Sequence, residues 1–154
     1  MLSMERGQII QELIKAYSAE LETVQNYLAA SINLDGVRSD IIKKSLAADV
    51  TAELMHGQKL AARIKVVGGI VPGSLNLIRD QTYLQPPADT TDVVSVIKGV
   101  IAAEESAIAQ YNKIIKLCDQ VDYATQDLCI ENLSDEESHR REFIGFLKEY
   151  EKAK

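Results

Sequence analysis

The sequence predicts an all-α fold: an antiparallel four-helix bundle with one long crossover between its second and third helices. Three observations carry that expectation. Apolar residues recur at alternating steps of four and three through four long stretches, the spacing of a helix face turned toward a core. Glycine and proline punctuation separates those stretches. Only one of the three connections is long, and short connections join antiparallel neighbours. Composition agrees, because 46% of the chain is hydrophobic while aromatics are only 5% and Trp is absent, a balance shifted toward helix-forming aliphatic residues. At 154 residues the chain forms one domain, 1–154, with a single sizeable core.

The first helix is expected from about Glu5 to Leu34, along the stripe Ile9, Leu13, Tyr17, Glu20, Val24, Tyr27, Ser31 and Leu34. Asp35-Gly36 ends it, with glycine suited to the left-handed residue after a helix. Ser39 or Asp40 caps the second helix, whose stripe is Ile42, Leu46, Val50, Glu53, Leu60, Ile64 and Val67. Gly68-Gly69 closes it, and Pro72 prevents its resumption. Residues 70–89 hold Pro72-Gly73 and Pro86-Pro87 and form the long connection, with a short turn of helix between Leu75 and Arg79. Extended at about 3.3 Å per residue, this segment can run the length of a helix of about 45 Å. It therefore makes the second and third helices parallel. The third helix spans about Thr91 to Leu117, with stripe Val94, Ile97, Ile101, Glu104, Ile108, Tyr111, Ile115 and Cys118. The fourth spans about Tyr123 to Glu151, with stripe Cys129, Leu133, Glu136, Arg140, Phe143, Leu147 and Tyr150.

A formal charge of −6 argues against a nucleic-acid partner and suits attraction of cations. No run of about 18 apolar residues is present for a membrane span, and Met1 to Glu5 does not begin a secretory signal. Cys118 and Cys129 are too few for a disulfide framework, and their levels along antiparallel helices differ. They read as buried thiols, and the expected location is the reducing cytoplasm.

Chemistry concentrates in two short motifs, Glu53-Leu54-Met55-His56 and Glu136-Glu137-Ser138-His139. The chain has only two histidines, and each follows a glutamate by three residues, on the same helix face. Glu20 and Glu104 interrupt the stripes of the other two helices, again near the midpoints. Midpoints of equal helices meet at one level, so four carboxylates and two imidazoles converge there. Uncompensated, each buried carboxylate would cost several kcal/mol, so protons or metal must neutralise them. Two divalent cations balance four carboxylates formally, and two ferric ions with one bridging oxide balance them again. Mixed oxygen and imidazole donors suit iron or manganese, and the arrangement matches a known ligand pattern of metal-binding bundles. Glu105 and Glu137 neighbour these positions but point about 100° away.

All four helices resemble the ferritin-like superfamily, most closely bacterioferritin. The resemblance rests on the six residues above, on Asp122 to Leu128 continuing through Ile130 to His139, and on Leu60, Arg63-Ile64 and Gly68-Gly69. It implies a ferroxidase that oxidises Fe(II) with O2 or H2O2 and mineralises Fe(III) inside a homo-oligomeric cage, for iron storage and detoxification. Glu20 and His56 would hold one iron, Glu104 and His139 the other, with Glu53 and Glu136 bridging. Tyr27, seven residues after Glu20, stands where the family has a tyrosine near the irons and would hydrogen-bond a bridging glutamate or donate an electron. Tyr111 has the same offset from Glu104 and is expected as core packing. The family's haem-ligating methionine follows the second-helix glutamate; here Leu54 stands there, so haem is not expected. Only 15 residues follow His139, which leaves no short fifth helix and favours 12 subunits over 24. The alternative is a non-storing di-iron oxidase or peroxide reductase of rubrerythrin-like type, although its additional third-helix glutamate is Ala107 here. In bacterioferritin-like sites an aspartate precedes each bridging glutamate and serves the opposite histidine. Asp135 fits that role for His56, whereas Ala52 offers nothing to His139 and predicts a weaker metal on that side.

Overall fold

The computed structural model describes residues 2–152. It contains four helices, α1 (Leu2–Asn33), α2 (Asp40–Val66), α3 (Val93–Cys118) and α4 (Tyr123–Lys152), with a 3-10 turn at Ser74–Asn76 and no strand among the described residues. The four-helix bundle with one crossover is therefore the observed fold.

Local chemistry sets the ends. At the end of α2, Gly68 adopts φ 91°, and the amides of Gly68 and Gly69 donate to the carbonyls of Lys65 and Ile64. This is the paired-bond termination that a left-handed glycine permits. Ser39 precedes α2 as expected, but its hydroxyl donates back to the Gly36 carbonyl and caps no amide of the helix. Asp92 caps α3 by accepting from the Ser95 amide. Asp122 accepts from the Thr125 amide at the start of α4 and also pairs with Arg63 of α2 at 2.7 Å. That ion pair ties the end of α2 to the start of α4.

Helices α1 and α2 form one antiparallel hairpin and α3 and α4 the other; α1 packs on α3, while α2 and α4 meet at few points. The crossover docks along α1. The Ile78 amide donates to Ser18 Oγ, and the Asp80 and Gln81 amides donate to the buried Glu22 carboxylate. Gln81 is itself buried, donating to the Ala19 carbonyl and Thr23 Oγ1 and accepting from Asn26. Further on, the crossover lies so close to α3 that a Cβ on Gly99 would stand 2.8 Å from the Tyr83 carbonyl oxygen. The Asp35 amide bonds the Thr90 carbonyl, so the segment has returned to the end of α1 before α3 begins.

The apolar core is in two parts. One gathers Tyr27, Leu34, Ile42, Leu46, Ile97, Val100 and Phe143; the other gathers Ile9, Leu13, Leu60, Ile64, Tyr111, Ile114, Cys118 and Cys129. A polar band separates the two clusters, in which each large buried side chain contributes about 1.5–3 kcal/mol. The buried stripes differ from expectation in one regular way. At the three-residue steps the core position is Thr23, Asp49, Val100, Ile114 and Asn132, each one residue before the expected Val24, Val50, Ile101, Ile115 and Leu133.

Candidate metal centre

The polar band brings Glu20, Glu53, His56, Glu104, Glu136 and His139 together. All four carboxylates are 1–3% exposed, and His56 is 2% exposed. Each sits on a different helix at its middle turn, the two histidines one turn beyond Glu53 and Glu136. Donor atoms fall into two groups, Glu20, Glu53, His56 and Glu136, and Glu53, Glu104, Glu136 and His139, each within a 4.8 Å span. Glu53 and Glu136 belong to both.

The centre has an approximate two-fold relation exchanging the hairpins. His56 of α2 turns Nδ1 to Glu136 of α4 at 2.9 Å, and His139 of α4 turns Nδ1 to Glu53 of α2 at 3.2 Å. The outer ring nitrogens also cross over: His56 Nε2 is 3.0 Å from Asp135 Oδ2, and His139 Nε2 is 3.7 Å from Asp49 Oδ1. Tyr27 of α1 donates to Glu104, and Tyr111 of α3 donates to Glu20. Asn132 supports the second contact by donating to the Tyr111 hydroxyl at 3.1 Å.

Several buried atoms in this band lack hydrogen-bond partners: Glu53 Oε1, Glu104 Oε2, Glu136 Oε1 and Nδ1 of both histidines. Although His56 Nδ1 and Glu136 Oε1 are close, they are not aligned as a hydrogen bond. Unpartnered buried polar atoms of this kind are costly, and as oxygen and imidazole ligands in two four-membered groups they fit metal binding.

Protonation supplies the other means of neutralisation. Burial and the charges of Glu136 and Glu53 raise Glu20 well above the usual carboxylate range, and burial with a contact to Glu136 does the same for Glu104. Burial also works to raise Glu53 and Glu136, but contacts outweigh it and hold both below the usual range: His139, His56 and Glu20 for Glu53, and Glu104 with both histidines for Glu136. Burial works to lower the histidines, and the facing glutamates overcome it: His56 is raised strongly and His139 to about 10. These shifts favour protons on Glu20, Glu104 and the two histidines, and so lessen the negative charge that four buried carboxylates would otherwise concentrate there.

A family model of the ferritin-like domain matches residues 10–153. The chain belongs to the ferritin-like family. Its relatives include the DNA protection during starvation protein of Pyrococcus furiosus, 26% identical over 144 residues that cover 90% of this chain and 76% of the relative. Bacterioferritin of Desulfovibrio desulfuricans is 26% identical over 136 residues, covering 87% of this chain and 71% of the relative. Among solved structures, a dodecameric thioferritin, the bacterioferritin-related protein of Bacteroides fragilis, superposes with TM-score 0.83 at 21% identity, covering 99% of this chain and 92% of that one.

For this ferritin-like chain three contacts differ from expectation. Tyr27 bonds Glu104, not one of the two shared glutamates, because α1 packs on α3 and Glu104 is the carboxylate facing it. Tyr111 is buried as expected but is also a hydrogen-bond donor to Glu20. Asp135 meets His56, while His139 faces Asp49, a residue absent from the expected set. Asp49 occupies the three-residue step between Leu46 and Glu53, where the neighbouring Val50 is the apolar choice. Asn132 was hidden in the same way beside Leu133. Glu105 and Glu137 are exposed. Cys118 and Cys129 are free and buried, and burial pushes their thiols up to about 11 and 12, so neither is a ready nucleophile.

A small cavity of about 10 Å³, on the order of one water molecule, lies between α1 and α3. Its walls are Ala19, Thr23, Ala103, Ser106 and Ala107, with Gln81 of the crossover beside them and Glu20, Glu53, Glu104 and Glu136 also lining it. No helix among the described residues is long and apolar enough to cross a membrane.

Proposed function

We propose that the protein is a ferroxidase subunit of an iron-storing, iron-detoxifying ferritin-like cage, with ferrous iron as substrate. The observation that carries this is the pair of four-donor groups sharing Glu53 and Glu136. Glu20 and His56 hold one ferrous ion, Glu104 and His139 the second, and Glu53 and Glu136 bridge them. The two ions together supply two electrons, enough to take O2 to H2O2 or H2O2 to water.

The protein's part is placement and exclusion of bulk water. The two apolar clusters seal the centre along the bundle axis. Tyr27 and Tyr111 orient the terminal carboxylates through their hydroxyls; in this reading Tyr27 is also an electron donor to the centre. Glu20, Glu104 and the two histidines, all with raised affinity for protons, give up protons as cations enter, which limits the change in the centre's charge. The acidic chain favours cation approach. Exposed apolar residues, among them Ile32, Val37, Ile41 and Ile70, suit burial between subunits, and closed symmetry is the usual outcome of such association. A dodecamer like that of the thioferritin relative is the expected assembly.

The test combines light-scattering mass with oxygen uptake on adding ferrous iron, for wild type, Glu53→Ala and Glu136→Ala. A large closed assembly with rapid oxidation lost in both variants supports the proposal. Wild-type rates in either variant refute the site, and a monomer with full oxidase activity refutes the cage and favours the non-storing oxidase.

A further inference from the structure

The two histidines are held differently from outside the centre. His56 Nε2 meets Asp135 at 3.0 Å, and Asp135 immediately precedes Glu136. The related position before Glu53 is Ala52, which carries no acceptor. Asp49, one turn earlier on α2, instead brings Oδ1 to 3.7 Å from His139 Nε2. Its other oxygen, Oδ2, is buried without a hydrogen-bond partner. A carboxylate only 8% exposed, facing one imidazole and otherwise unsatisfied, is expensive to keep unless the imidazole uses it. The geometry fits such a use. His139 Nδ1 faces Glu53, Glu104 and Glu136, leaving Nε2 as the nitrogen that must carry the proton when Nδ1 is a ligand. A ligating histidine whose other N–H is held by a carboxylate is fixed in tautomer and orientation and made more basic.

We propose that Asp49 is the positioning residue for His139, accepting its Nε2–H and aiming Nδ1 at the centre in the role that Asp135 has for His56. This rests on the reading above that His139 is a metal ligand. Asp49 reaches His139 across a longer gap than Asp135 reaches His56, so the two halves are unequal. The half containing Glu104 and His139 binds its cation more weakly, yet more tightly than it would with no carboxylate at all. The exchange of Ala52 for Asp49 also moves the acceptor one turn along α2 without changing which helix supplies it.

The test is anaerobic titration of the full-length protein with Co2+, read by d–d absorbance. Wild type, Asp49→Ala, Asp49→Asn, Asp135→Ala and the double variant Asp49→Ala with Ala52→Asp are compared. Wild type takes two equivalents. Asp49→Ala weakens the second by roughly 10–100-fold, the usual loss for such partners, and leaves the first unchanged; Asp135→Ala instead weakens the half containing His56. Asp49→Asn, near the same shape and still an acceptor, falls between wild type and Asp49→Ala. Ala52→Asp, at the position related by the two-fold to Asp135, restores the second equivalent in the double variant. Two unchanged equivalents in Asp49→Ala overturn the proposal, as does equal weakening of both, which marks a general structural loss. Failure of both Asp49→Asn and the double variant to improve on Asp49→Ala overturns it too. Fewer than two equivalents in wild type overturn the two-metal reading itself.

Discussion

Loading the centre with two divalent cations should release about four protons near neutral pH. The count follows from the groups on the four helices. Glu53 and Glu136 favour the ionised form, held below the usual range by the histidines together with Glu20 for Glu53 and Glu104 for Glu136. Burial raises Glu20 and Glu104 well above the usual carboxylate range, helped by the shared glutamates beside them, which favours their protonated forms. His139 is raised to about 10 and His56 is raised further. A metal ligand must be deprotonated, so each of these last four groups gives up one proton when two cations bind. At about two protons per cation, apparent affinity should climb on the order of 100-fold for each pH unit, because each released proton contributes a factor of about ten. The assay is anaerobic addition of Zn2+ in weak buffer with a pH indicator, alongside calorimetric affinity at several pH values. Glu20→Gln and Glu104→Gln should each lower the release by about one proton. Release of fewer than about two protons by wild type, with two cations bound, would show that the centre is not neutralised by protons in the way described.

Metal-free protein should lose stability as pH rises from 6.5 through about 10. The histidines and the terminal glutamates have folded-state pKa values above their unfolded ones, so the stability they contribute is full at low pH and disappears upward, with His139 setting that window. Thermal melting across pH tests this, and a flat or rising profile there would contradict it. Glu22→Ala removes the acceptor for the Asp80 and Gln81 amides and should cost about 1–3 kcal/mol in denaturant unfolding, the penalty for stranded buried donors; an unchanged midpoint would show that the crossover is held by other contacts. Protein purified from haem-replete cells should lack the Soret band of methionine-ligated haem, since Leu54 is the residue beside Glu53; stoichiometric haem would refute that.

Helix ends were legible because their causes are local. Gly36 and Gly68 both adopt the left-handed backbone that ends a helix, whereas Ser39 turns its hydroxyl back to Gly36 and does not cap α2 as expected. The six central residues were legible because charge and imidazole in an apolar stripe demand a reason. What escaped notice was polar and ordinary at once. Asp49 and Asn132 lie on the inner face, but each has an apolar neighbour, Val50 or Leu133, that fits a simple hydrophobic stripe better. A pattern built from apolar residues therefore rotates each helix slightly at those steps. Contacts between helices were hidden for another reason. The bond from Tyr111 to Glu20 joins positions 91 residues apart, and its partner is set by the packing of α1 on α3, which no single-helix periodicity contains. Gln81 is the extreme case: nothing in a loop sequence marks a side chain destined to be buried against α1.

The central claim is a two-iron centre shared by Glu53 and Glu136, and anomalous diffraction from crystals loaded with ferrous iron without oxygen tests it most directly. The account predicts two iron peaks per chain, one among Glu20, Glu53, His56 and Glu136, the other among Glu53, Glu104, Glu136 and His139. A single peak, or peaks away from these residues, would contradict it.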